Sequence, residues 1–346
     1  MPDNELDQLY GVVAKAAGQD PRLIPKSAKD YLDNLEPVEY LVENLIVKGK
    51  LYTLTARNNH GKNTLASLLM GAVSKGEKFG NLQTIKGRVL FISGENTHDA
   101  MLKLKALGLK IDLSQVDIVD LAFEMRKKAD FFKTLKQEYQ LVIVDSNQSY
   151  FGEGDMNANS TQLLHAQSLR RLTKIKGRPA VIVLSHPVKN ADMDNLIPYG
   201  GNSFTNEIDT NLMLWLDGDI ATLQGGKTRQ PSIVPMNFKL VVVELEGMVT
   251  NFGTPVTSTV FESMSEAQAD KANNSNEDQR REILAMLKSG GATKAGLARE
   301  VMKSEDSAAI SQIQRHITKL RELKFVTQKG SYKITKKGLE YLKNGE

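Results

Sequence analysis

The stretch Leu51-Tyr-Thr-Leu-Thr-Ala-Arg-Asn-Asn-His-Gly-Lys-Asn-Thr-Leu-Ala66 carries the strongest signal in the chain. An apolar, β-branched run enters a polar loop, reaches Gly61-Lys62, and continues as the helical pattern Thr64-Leu-Ala-Ser-Leu-Leu-Met70. Strand, tight loop and helix N-terminus in that order make a phosphate cradle. Loop N–H groups and the positive end of the helix face the anion, and a lysine reaches the outer phosphates. On this reading Asn58, Asn59, His60, Gly61, Lys62, Asn63 and Thr64 hold a nucleotide. The pattern G-x-x-x-x-G-K-[ST] is broken twice. Ala56 stands where the first glycine belongs, and Asn63 where the Mg²⁺-binding hydroxyl belongs. The stretch speaks for nucleotide binding more clearly than for hydrolysis.

Outward from this loop, residues 89–93, 141–144 and 180–184 are short continuous apolar runs rich in β-branched residues. Such runs suit parallel strands buried on both faces. Helical patterns fall between them near 100–107, 129–137 and 160–176, so the fold class is α/β with a mostly parallel sheet. Residues 212–216, 220–224 and 238–244 lack long helices between them and are expected as antiparallel edge strands. The organisation expected is an extension over 1–36, an α/β domain over 37–262, a Ser/Ala/Asn-rich linker over 263–278 and a small domain over 279–346.

Two strand ends bring carboxylates. Asp145 closes Leu141-Val-Ile-Val-Asp145 and, from an adjacent parallel strand, is expected to hold Mg²⁺ beside Asn63; a capping Asp is the plain alternative. Glu95 ends Val89-Leu-Phe-Ile-Ser-Gly-Glu95 and suits a general base for the attacking water, or an acid in the next helix's first turn. His186 follows a fourth strand and is either a γ-phosphate sensor or a structural histidine. Lys227 and Arg229 sit on a glycine-flanked tip, as fingers reaching a neighbouring subunit's nucleotide or as a solvated turn. The polar loop 189–203 is a candidate contact for nucleic acid or another subunit.

Composition limits the alternatives. Hydrophobic residues at 40% and charged residues at 25% are ordinary for a globular protein. No apolar run approaches a membrane span, and Met1-Pro-Asp-Asn-Glu-Leu-Asp lacks a signal-peptide core, so no membrane partner and a cytoplasmic location are expected. With no cysteine, disulfides, thiolate zinc sites and a Cys nucleophile are excluded. The net charge of +4 is uneven: residues 279–346 carry fifteen Lys and Arg against seven Asp and Glu, a surplus of +8 that leaves −4 on the rest. A basic tail of this kind suits a polyanion.

That tail has helical patterns over 280–289, 293–302 and 308–323, then an alternating hairpin turning at Lys329-Gly330 and a short last helix. It resembles a winged helix-turn-helix of the MarR-like or replication-initiator kind. The resemblance implies a third helix in the major groove and a wing on phosphates. Gln312, Arg315, His316 and Lys319 would meet duplex DNA from the third helix, with Lys329 and Lys333 on the wing. Docking of a protein partner is the alternative.

From Pro37-Val-Glu-Tyr-Leu-Val-Glu-Asn-Leu-Ile, through Gly61-Lys62, Ser93-Gly-Glu95, Leu141-Val-Ile-Val-Asp145, Leu184-Ser-His186 and Gly200-Gly-Asn-Ser203 to Gly226-Lys227, the chain resembles RecA-like P-loop ATPases. Within them it is similar to the plasmid and phage RepA-type hexameric replicative helicases. The resemblance implies a RecA-like core, ATP with Mg²⁺, and a homo-oligomer, a hexamer favoured, with ATP between subunits. Lys62 would be the phosphate lysine, Glu95 the catalytic base, Asp145 the Mg²⁺ carboxylate and His186 the sensor. The helicase group's arginine has no counterpart between Phe204 and Trp215. The expected function is a DNA motor or switch in replication of a mobile element, a ring helicase or a helicase-loading factor, with single-stranded DNA on the core. The alternative is a non-hydrolysing P-loop regulator or scaffold.

Overall fold

In the computed structural model residues 25–343 are described, apart from 26, 157, 190, 229–231, 291 and 330. Met1–Glu39 form one unit. Its described part holds the short helix α1 (Ala28–Asp33), whose first turn is capped where the Ser27 hydroxyl accepts the Asp30 N–H. Tyr40–Glu346 form the second unit.

The second unit begins with the strand pair β1 (Tyr40–Val42) and β2 (Ile46–Val47). Strands and helices then alternate: β3 (Leu51–Thr55), α2 (Lys62–Lys75), β4 (Arg88–Ser93), α3 (Thr97–Ala106), β5 (Val116–Val119), α4 (Met125–Lys128), β6 (Tyr139–Asp145), α5 (Asn159–Arg171), β7 (Ala180–Ser185) and α6 (Gly201–Glu207). Next come β8 (Thr210–Asp217), β9 (Ile220–Thr228), β10 (Met236–Val249) and β11 (Pro255–Met264). Strands β3 to β11 form one nine-stranded sheet in the order β11-β10-β9-β8-β3-β7-β6-β4-β5.

From β8 to β5 the sheet is parallel. This is the α/β architecture of a RecA-like P-loop NTPase core. β3 and β7 are buried at every residue, which their apolar and β-branched composition allows. The two hydroxyls inside β3 are satisfied, since Thr53 and Thr55 both donate to the Asn211 amide oxygen on β8, at 2.8 and 2.7 Å. One core layer packs α2 and α3 on one face of the sheet, and another packs α5 on the opposite face.

Several sequence expectations need correction. β8 is not antiparallel: α6 returns the chain to the start of the sheet, and β8 pairs parallel with β3, so reversal begins only at β9. The helix expected over 129–137 is instead α4 followed by 3₁₀ turns over Ala129–Thr134, with Phe132 buried against Phe123. The linker expected over 263–278 is mostly helix. α7 (Glu266–Ser289) runs unbroken for 24 residues, opened by a capping box in which the Ser265 hydroxyl and the Gln268 side chain satisfy each other's backbone N–H groups. Its first half seats on the β8–β9 turn, where Asn276 donates to Asp217 and Asp219.

The tail completes the unit with α8 (Lys294–Leu297), a π-helical turn over Ala298–Met302, α9 (Ser307–Glu322), the hairpin β12 (Val326–Lys329) and β13 (Ser331–Ile334), and α10 (Lys336–Lys343). The expected helix over 293–302 thus widens after one turn and stops at Lys303, which has a left-handed φ of 54°. Ile283 and Leu287 of α7 meet Leu297, Ile313, Ile317 and Leu320 in a separate small core. The far edge of the sheet curls back. Val260 and Phe261 of β11 belong to the same core layer as Leu65 and Leu69 of α2.

Candidate functional site

The carboxyl ends of four parallel strands converge on the start of α2. β3 leads into the loop, β4 delivers Glu95, β6 ends at Asp145, and His186 follows β7; the register pairs Thr55 with Ser185 and Ser93 with Asp145. Inside the loop the left-handed residues are Asn59, with φ 63°, and Gly61, with φ 84°. Ala56 is not among the positive-φ residues and its N–H bonds the Ser185 carbonyl at 3.3 Å. The missing first glycine therefore costs this turn no strain, because the sharp bend falls later, at residues that tolerate it. Gly61 is constrained twice: a Cβ there would also lie 2.6 Å from the Phe261 ring.

Lys62 is buried. Its ammonium donates to the Ala56 carbonyl at 2.8 Å and to His186 Nδ1 at 3.2 Å. Burial lowers its pKa to about 8 against the pull of Asp145 and Glu95. The same burial, with Lys62 nearby, lowers that of His186 and keeps the imidazole neutral. Asp145 is pushed up to about 6, by burial first and the Glu95 charge second, although Asn63 and Lys62 oppose the rise. Asn63 Nδ2 donates to Asp145 Oδ2 at 2.9 Å.

Glu95 accepts from the Ser146 and Ser149 hydroxyls, both at 2.5 Å. Burial would raise its pKa, but these bonds and the charges of His186 and Lys62 bring it below the ordinary value. Sequence reasoning missed the two serines, although Ser146 directly follows Asp145. Gly94 precedes Glu95 because a Cβ there would sit 2.7 Å from the Tyr150 hydroxyl.

Asn58 and Asn59 sit exposed at the loop crest. His60 needs correction as a nucleotide contact, for its side chain turns to β8. Nδ1 accepts the Leu216 N–H at 3.1 Å, and the ring meets Trp215 edge-on at 4.8 Å. Burial lowers its pKa to about 4, so it anchors the loop as a neutral ring. Thr64 lies at the helix start but is covered: its hydroxyl is 3.2 Å from that of Thr259 on β11, which also receives Lys103 at 3.0 Å. Nothing in the local sequence signalled a partner 195 positions away. The loop after β7 is pinned rather than free, through Val188 to Ile197 and Tyr199 to His186 backbone bonds. Arg229 and the Lys227 side chain, the finger candidates, lie outside the described residues.

The donor set fits Mg²⁺. A buried carboxylate with raised pKa gains from a cation, and the Asn63 amide beside it can turn its oxygen inward; Mg²⁺ asks for one or two such protein ligands and takes phosphates and water for the rest. Among the described residues no group of three or more His, Asp or Glu could hold a metal, and no helix is long and apolar enough to cross a membrane.

The third tail helix requires the largest correction. Gln312, Arg315, His316 and Lys319 do not face solvent together. His316 is fully buried, its Nε2 3.0 Å from Gln279 Oε1, and burial holds its pKa near 3. Gln312 bonds the same Gln279 oxygen at 3.4 Å. Arg315 is half-buried and its pKa is lowered by burial against the Asp219 charge. The Lys319 ammonium lies 5.6 Å over the Trp215 ring and 3.8 Å from Asp217. Lys333 is exposed as expected, and the Lys329 side chain lies outside the described residues. The face packs inward because α7, running on from the core, holds α9 against the β8–β9 turn.

A search of curated proteins finds no match. The family model described as the AAA domain matches residues 19–192, which include β3, the loop, α2, Glu95, Asp145 and His186. That span is just over half of the 346 residues, and with the Lys62–Asp145–Glu95 arrangement at its centre the chain belongs to the AAA domain family of P-loop ATPases.

Proposed function

We propose that the protein is an ATP- and Mg²⁺-dependent RecA-like DNA motor or switch that serves replication of a mobile element in the cytoplasm, as a ring helicase or helicase-loading factor. The convergence of Lys62, Asn63, Glu95, Asp145 and His186 on one sheet edge carries this reading. The loop and the α2 N-terminus receive the phosphates, and Lys62 leaves the Ala56 carbonyl for them. Asn63 and Asp145 would hold Mg²⁺, which would supply charge neutralisation for phosphoryl transfer when bound. Glu95, kept ionised by Ser146 and Ser149, accepts a proton from the attacking water. Neutral His186 senses the terminal phosphate. A RepA-type hexamer would carry ATP between subunits, with Lys227 or Arg229 as fingers.

The tail's three helices and hairpin support a winged helix that binds duplex DNA through α9 and Lys333, once α9 leaves the core. Single-stranded DNA would run along the core. ATP turnover by the purified chain, measured alone and with single-stranded and duplex DNA, tests the reading; DNA-stimulated turnover supports a motor.

The covered Thr64 and the Asn63 substitution favour a second reading, a P-loop regulator that binds nucleotide without hydrolysis. Tight ATP binding with no turnover on any DNA would select it.

A further inference from the structure

α9 contacts the nucleotide loop itself. The Arg57 guanidinium, five residues before Lys62, donates from Nη1 to Glu322 Oε1 at 2.6 Å. Arg57 also lies 5.7 Å over Trp215, beside Lys319 and His60. Gln312, Arg315, Lys319 and Glu322 are spaced by three, four and three residues, so they form one stripe along α9. That stripe meets Gln279, the acidic β8–β9 turn and the loop in succession. The turn offers two carboxylates to basic side chains, since Asp217 also holds Arg280. It presents to the tail what a phosphate backbone would present.

We infer that duplex DNA and the core's own acidic turn compete for this stripe, and that nucleotide tips the competition toward DNA through Arg57 and Glu322. The inference rests on the duplex-binding reading of the tail given above. The direction follows from charge. A polyphosphate in the loop lies beside Arg57, whose carbonyl is already 3.5 Å from the Lys62 ammonium. The phosphates compete with Glu322 for the guanidinium and repel the Glu322 carboxylate. Both effects loosen the tail from the loop and the acidic turn and free Arg315 and Lys319, whereas Gln312 stays on Gln279 within the tail. The two ligands are then linked, and each strengthens the other by the same factor.

The test uses the full chain and a fluorescently labelled duplex at low salt, with and without ATP·Mg²⁺, in wild type and in Glu322→Gln combined with Asp219→Asn. Trp215, the chain's single tryptophan, reports undocking by its emission without any DNA. ATP·Mg²⁺ is expected to shift that emission and to tighten duplex binding by about 5-fold to 150-fold, the usual span of coupled sites. The double variant is expected to bind duplex tightly without nucleotide and to lose most of the response, with its helical content unchanged by circular dichroism. Duplex affinity indifferent to nucleotide and to the double substitution, or weakened by nucleotide, would overturn this inference and leave the DNA-binding reading standing. Absence of duplex binding by both proteins at low salt would overturn that reading and this inference with it.

Discussion

At the scale of the residue, two proton equilibria frame nucleotide binding. On the proposed reading, Asp145 loses its proton to hold Mg²⁺, and burial has raised its pKa to about 6; Lys62 keeps its proton for the phosphates, and burial has lowered its pKa to about 8. Affinity for ATP·Mg²⁺ should therefore rise as pH passes upward through about 6 and fall again above about 8, which calorimetry across that range would read. Lys62→Ala should remove most of the binding at every pH. Glu95→Gln should leave binding intact and lower turnover by about 100-fold or more, since a general base acts on water and not on the bound phosphate. Stopped ATP assays beside binding isotherms separate the two. The residues of this machinery were legible because each ends an apolar strand or begins a helix. Ser146, Ser149 and Thr259 were not, because a serine or threonine carries no pattern until the fold brings a partner to it. His60 and His316 misled for the converse reason: each falls inside a polar stretch, yet a neutral imidazole buries well once one nitrogen finds a partner.

At the scale of the element, β11 and α7 depart most from sequence expectation. β11 closes the far side of the P-loop with Phe261 against Gly61 and Thr259 against Thr64. Phe261→Ala should cost about 3–5 kcal/mol of stability, as large buried rings do when truncated. Chemical denaturation measures that cost. Gly61→Ala should be worse for the loop than for the fold, since it meets both a φ of 84° and the same ring; paired with Phe261→Ala it should recover part of its lost ATP affinity. α7 was masked by composition, because Asn, Ser and Asp discourage helix interiors. The signature that would have revealed it was present as Ser265-Glu-Ala-Gln268, a capping box. The central parallel strands were legible to within a residue or two because burial on both faces leaves little freedom of composition. The direction of β8 was not, since periodicity carries no sign for the way a strand runs.

At the scale of the whole molecule, His165 and His316 are fully buried and His60 is half-buried against Trp215, and all three are held neutral, with pKa values near 4 for His60 and His165 and near 3 for His316. A lowered folded pKa contributes stability that is present above the ordinary value of 6.5 and is lost as pH falls below it. One unit below that value each such histidine costs about 1.4 kcal/mol, so the melting temperature should drop steeply between about pH 6.5 and pH 4.5. His316→Gln should shallow the drop, as thermal melts over that range would show. The charge surplus of the tail was legible from its lysines and arginines; what answers it was not, for the −4 body gave no hint that Asp217 and Asp219 would stand in its path. The unbroken α7 has a further consequence. A tether fixes only how far apart two bodies can drift, but while the tail is docked a helix fixes how they face, like the thread of a screw. Each residue inserted between Asn276 and Ile283 turns the tail by about 100° and advances it by about 1.5 Å. Two insertions nearly reverse it, whereas seven bring the heading back to within about 20° at a distance of about 10 Å. Chain length in those few positions is thus an angular setting, and evolution can re-aim the tail by changing a count rather than a contact.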